Sequence, residues 1–91
     1  MASCDQAHAE LDHVNAGTIQ VGTLPGWTSV RGKVVWSLFK GGYDELPRAW
    51  ESFMREAPKD GVRGPPGDVY PCIPGEHSAE RMLTILYLPV R

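Results

Sequence analysis

Residues 82–90 read Met-Leu-Thr-Ile-Leu-Tyr-Leu-Pro-Val, a β-prone run without a polar face. Side chains alternate along a strand, so Leu83, Ile85 and Tyr87 share one side and Met82, Thr84, Leu86 and Leu88 the other. A strand apolar on both sides must be central in its sheet or lie at an interface. The fold therefore needs cover on two faces. That is demanding for a chain of 91 residues, which makes one domain with a thin stability margin.

Lys33 to Phe39 is a second strong strand, rich in β-branched and aromatic residues. Val34, Trp36 and Leu38 point one way, and Val35, Ser37 and Phe39 the other. In Thr18 to Leu24, Ile19, Val21 and Thr23 alternate with Thr18, Gln20 and Gly22, as in a half-buried strand. Asp68 to Ile73 is a short fourth strand. Pro71 confines it to an edge or a bulge, because proline has no N–H for a ladder. Pro25-Gly26, Gly41-Gly42 and the Gly- and Pro-rich stretch 59–67 mark the turns. Trp27 to Gly32 is an extended connection, and Pro74 to Arg81 a polar one.

One helix is clearly marked. Leu46, Ala49, Trp50, Phe53, Met54 and Ala57 form a single apolar stripe at helical spacing. Asp44 is suited to N-cap it, Pro47 fits its first turn, and Pro58 stops it. These elements predict an α+β fold: a four-stranded antiparallel sheet with one main helix packed on one face, in the order strand-strand-helix-strand-strand. Residues 1–16 are expected to be an N-terminal tail or a short helix, and residues 17–91 the folded module. A single helix covers one sheet face, which leaves the other for a guest or a second copy.

Charge and motif content narrow the functions. The formal net charge is -2, with no long basic run, so a nucleic-acid partner has no electrostatic support. The apolar runs are too short to span a bilayer. Cys4 and Cys72 lack CxxC partners and no signal peptide is evident, so two reduced thiols in a cytoplasmic protein are expected. His8, His13 and His77 are not spaced as a metal set, and no metal or cofactor is expected. Glu76, His77 and Glu80 read as a polar loop rather than an acid–base group. No serine has a nucleophile-elbow context, and no G-K-[ST] follows the glycines of 61–67.

The run Gly41-Gly42-Tyr43-Asp44-Glu45-Leu46-Pro47-Arg48-Ala49-Trp50 resembles the "G-P-Y-x-x-L-x-x-A-W" helix start of the GyrI-like effector-binding domains, found in AraC- and MerR-type regulators and as stand-alone proteins. Three further stretches follow in order. Val21 to Gly26 resembles the strand-turn before that helix, Gly64 to Tyr70 the "G-P-x-x-E-x-Y" strand start, and Thr84 to Val90 the terminal "T-x-I-x-x-P-V" strand. The resemblance covers roughly residues 18–91. It implies half of a GyrI-like tandem, and so a homodimer that rebuilds the pair around a ligand. Asp68 stands where the family usually has Glu, and Gly42 where it has Pro.

Asp68 and Tyr70 lie two apart on a strand and share a face. A carboxylate beside aromatic rings suits a lipophilic cation, and the resemblance implies the same. The candidate ligand-binding residues are Asp68, Tyr70, Trp36, Phe39, Tyr43 and Trp50. Trp50 also reads as core, Tyr43 as an anchor at the helix start, and Trp27 as a lid or a surface anchor. No catalytic residue is expected in the leading reading, a stand-alone small-molecule binding module. The alternatives are a hydrolase of electrophilic toxins, with Asp68 as base and Tyr70 as acid or hydrogen-bond donor, and a protein-interaction or inhibitor module.

Overall fold

A computed structural model describes residues 4–72, 75 and 77–91. Its elements are α1 (Cys4–Leu11), β1 (Gln20–Gly22), β2 (Val34–Lys40), α2 (Leu46–Glu56), β3 (Gly67–Val69) and β4 (Leu83–Pro89). The four strands form one antiparallel sheet in the order β1-β2-β4-β3. The long apolar strands β2 and β4 are therefore central, as their two-sided hydrophobicity requires. Val34 pairs with Pro89, Trp36 with Tyr87, Leu38 with Ile85 and Lys40 with Leu83.

The main helix α2 lies on one face of the sheet. Phe53 and Ala57 are buried there with Val35, Leu86, Leu88 and Val90, and Leu46, Ala49, Trp50 and Met54 pack around them. Asp44 does not cap α2. It sits in a 3₁₀ turn, Tyr43–Glu45, and the helix starts without a side-chain cap. Pro47 lies in the first turn, and its pre-set φ favours a helix start there without Asp44. Ala57 turns to extended geometry (ψ 132°), as a residue before proline does.

The opposite face is covered by the chain's own N-terminus. Cys4, Ala7 and Leu11 of α1, with Val14 and Leu24, pack on Val34, Trp36, Leu38, Leu83 and Ile85. The expectation of an open second face is corrected here, and with it the ground for pairing two copies. Among the described residues, only Val21, Val62 and Tyr70 are large hydrophobic side chains left exposed.

The expectation of two reduced thiols is also corrected. Cys4 and Cys72 form a disulfide across a sequence separation of 68, tying α1 to the segment after β3. Cysteine usage therefore no longer argues for a reducing compartment. The same junction is reinforced from Arg81. Its guanidinium bonds Asp5 Oδ1 at 2.6 Å, and its carbonyl accepts from His8 Nε2 at 2.7 Å.

Two strands are shorter than the sequence predicts. β1 spans three residues of the expected seven, because Gly22 (φ 151°) and Pro25 break its path. β3 ends at Val69, before Pro71; Ile73 lies outside the described residues, as do Pro74 and Glu76. The connection after Pro25 contains a 3₁₀ turn, Gly26–Thr28, closed by Ser29 in the left-handed region at φ 63°. Residues 79–81 form another 3₁₀ turn. Gly67 is required where β3 meets β4, since a Cβ there would lie 2.6 Å from Tyr87 Cζ. No helix among the described residues is long and apolar enough to cross a membrane.

Candidate functional site

β3 is an edge strand, and a recess of about 440 Å³ wraps around it. One wall is Asp68, Val69, Tyr70 and Pro71; the other is the turn Trp27–Ser29. The volume falls in the range typical of small-molecule sites, roughly 300–1,000 Å³.

Sheet register sets the chemistry of the first wall. Asp68 stands opposite Leu86 and so points to the α2 face, whereas Gly67 and Val69 stand opposite Tyr87 and Ile85 on the α1 face. Tyr70, two residues beyond Asp68, donates its hydroxyl to Asp68 Oδ2 at 2.5 Å. Tyr43, at the start of the turn into α2, meets the Tyr70 ring edge-on with centroids 5.3 Å apart. Such pairs are worth about 0.5–1.5 kcal/mol beyond area burial. Tyr43 thereby holds the Tyr70 ring while Tyr70 holds the carboxylate.

Although Tyr70 is 44% exposed overall, desolvation of its hydroxyl, then the hydrogen bond to Asp68 and the charges nearby, push that group up to about 12. Burial, with the Asp68 charge behind it, also raises Tyr43. Both phenols thus stay neutral well past physiological pH, and Tyr70 remains a donor. Asp68 is the only charged residue lining the recess among the described residues. Its other oxygen, Oδ1, has no protein partner among them.

The second wall is rigid for local reasons. Thr28 Oγ1 donates to the Pro25 carbonyl at 2.7 Å and accepts from Val30 N–H at 3.1 Å. The Trp27 indole N–H is held by Glu10 of α1. Trp27 is half-buried and packs on the α1-side core, so its ring is oriented by that core and by Glu10. Sequence reasoning placed Trp27 as a lid or a surface anchor, not among the site residues. The available signal was its place directly after the Pro25-Gly26 turn, which the fold brings against β3.

The six expected site residues separate into three places. Asp68, Tyr70 and Tyr43 come together. Trp36 is buried under α1, beside a recess of about 600 Å³ with Glu10, His13 and Asn15 on its walls. Phe39 lies in a groove of about 380 Å³ between β2 and α2, with Ser37, Lys40, Glu45, Arg48 and Glu56. Trp50 packs edge-on against Phe53, centroids 6.0 Å apart, in the α2 contact with the sheet. The groove carries mixed charges, with Arg48 and Glu45 3.9 Å apart, so it offers an organic ion no single-signed field.

The histidines do not form a set by themselves, but His8 joins the two cysteines. An imidazole nitrogen and both sulfurs lie within 4.8 Å of one another. Chain spacing could not show this, because Cys72 arrives from a distant loop. No family model, no curated protein and no solved structure matches this chain.

Proposed function

We propose that this chain is a binding module for a small lipophilic organic cation, seated in the recess of Trp27, Asp68 and Tyr70. This is the activity implied by the resemblance to GyrI-like effector-binding domains, with a single module serving as the binding unit. The observation that carries it is the Asp68 carboxylate, without a basic partner among the described residues, lining a recess of suitable size together with Trp27 and Tyr70.

The physical roles divide simply. The Trp27 and Tyr70 rings supply apolar contact at about 25 cal/mol per Å² buried. Their faces attract a cation with about 0.5–2 kcal/mol each, more as water is excluded. Asp68 selects the sign of charge. Tyr70, Tyr43 and the Thr28 turn hold these groups in place before the ligand arrives, which lowers the ordering cost of binding.

The test is a tryptophan-fluorescence titration with an aromatic quaternary ammonium compound and its uncharged isostere. Saturable binding of the cation is expected. Asp68→Asn should weaken it about tenfold, the equivalent of ~1.4 kcal/mol, while leaving the neutral isostere within about twofold. Equal affinity of the native protein and Asp68→Asn for the cation would refute the role of Asp68. A hydrolase using Asp68 as base would instead consume an electrophilic substrate, and Asp68→Ala would abolish product.

A further inference from the structure

The cluster of Cys4, Cys72 and His8 joins α1 to the loop after β3, away from any role in the recess. Both sulfurs are buried, and His8 is half-buried at their side. The Arg81 carbonyl oxygen lies 3.6 Å from Cys4 Sγ, 3.5 Å from Cys72 Sγ and 2.7 Å from His8 Nε2. A disulfide sulfur has no proton to donate. The two sulfur contacts become S–H···O hydrogen bonds only when the bond is reduced, so the fold already contains an acceptor for the dithiol form. Asp5 holds the same residue by its guanidinium, which keeps the carbonyl in place.

We infer that the reduced chain binds a zinc ion through Cys4, Cys72 and His8, so that this junction is closed by a disulfide under oxidising conditions and by zinc under reducing ones. A thiol or dithiol reductant donates two electrons to the S–S bond; two protons complete the thiols, and the reductant leaves as its own disulfide. Zinc then displaces the two thiol protons and accepts an electron pair from each thiolate and from one imidazole nitrogen. Two sulfurs and one nitrogen are the donor set zinc favours, with a fourth position left for water. Zn–S bonds of ~2.3 Å at a tetrahedral angle place the sulfurs about 3.8 Å apart, which needs only that the freed side chains rotate away from each other. The His8 nitrogen is already within 4.8 Å of both. His13 and His77 are outside this group, which serves as an internal control.

The experiment uses the full chain, reduced with a phosphine under anaerobic conditions and titrated with Co²⁺, then Zn²⁺. One Co²⁺ per chain is expected, with thiolate-to-metal charge transfer and the intense visible bands of a tetrahedral site, displaced by Zn²⁺. His8→Ala should weaken binding at least about tenfold, and His13→Ala should not change it by more than about twofold. Zinc should also raise the melting temperature of the reduced native chain more than that of reduced His8→Ala, since a ligand that binds only the folded state stabilises it according to its affinity. Absence of a stoichiometric cobalt spectrum, or equal affinity in His8→Ala, would overturn the inference. So would a reduced chain whose melting temperature zinc leaves unchanged.

Discussion

Opening the Cys4–Cys72 bond should be the most damaging single change to this fold. The bond closes a loop of 68 residues in sequence separation, and chain-entropy arguments assign a cross-link of that span about 4 kcal/mol. A domain of this size has in all roughly 5–15 kcal/mol of stability, so the bond supplies about a quarter or more of it. At about 4–8 °C per kcal/mol, the loss corresponds to a drop of roughly 15–30 °C in melting temperature. The reason lies in the architecture. α1 is eight residues long, too short to persist alone, and it is the cover for the α1 face of β2 and β4. The assay is thermal unfolding followed by circular dichroism, comparing the native chain with Cys4→Ala/Cys72→Ala in the presence of a metal chelator. A double variant melting within about 5 °C of the native protein would refute the claim that this cross-link secures the second face.

Further outcomes follow from the same packing. Leu11→Ala should cost about 2–5 kcal/mol in urea unfolding, because this α1 side chain is buried in the core against the sheet. Thr84→Val should be neutral or stabilising by up to about 1–2 kcal/mol, since the buried Thr84 hydroxyl has no hydrogen-bond partner among the described residues. Arg63→Ala should cost up to about 1.5–3 kcal/mol, nearer the low end for an exposed side chain. It removes guanidinium bonds to the Val90 carbonyl (2.9 Å) and the Arg31 carbonyl (2.7 Å). Tyr70 keeps its proton in the folded state up to about 12, against an ordinary 10.0. The folded state therefore binds more protons than the unfolded one between those values, and stability should fall as pH rises through that window. Phenolate absorbance should show this late titration, moved earlier by Asp68→Asn. Light scattering should give a 10.0 kDa monomer, because both sheet faces are covered within one chain; a dimer at micromolar concentration would contradict that packing.

The central strands and α2 were legible because their signals are local. β-branched alternation marks Val34 to Phe39, and the stripe from Leu46 to Ala57 has the 3.6-residue period. Asp68 and Tyr70 were legible as a pair from their two-residue spacing, although β3 ends at Val69 and it is the hydrogen bond from the Tyr70 hydroxyl to Asp68 that joins them. What escaped was set by long-range topology. Cys4, Ala7, Leu11 and Val14 are spaced three, four and three apart, a helical stripe too short and too sparse in large apolar residues to stand out in the sequence. Nor could anything along the chain show that Cys72 meets Cys4, or that His8 meets both. Trp27 lines the recess because the turn Trp27–Ser29 lies across it from Asp68 to Pro71, an arrangement set by the sheet edge and not by neighbours in sequence. Trp36, Phe39 and Trp50 have the composition of a ligand cleft, yet the sheet itself stands between Trp36 and the other two.

The recess is tested most directly by the indole N–H signals of the three tryptophans in a ¹H–¹⁵N correlation spectrum, recorded while the quaternary ammonium compound is added. The Trp27 indole and the backbone amides of Asp68, Val69 and Tyr70 should move together and saturate, with the Trp36 and Trp50 indoles nearly still. Shifts confined to Trp50 and the amides around Phe39 would place the ligand in the α2 groove. That result, or an unperturbed Trp27, would contradict the account.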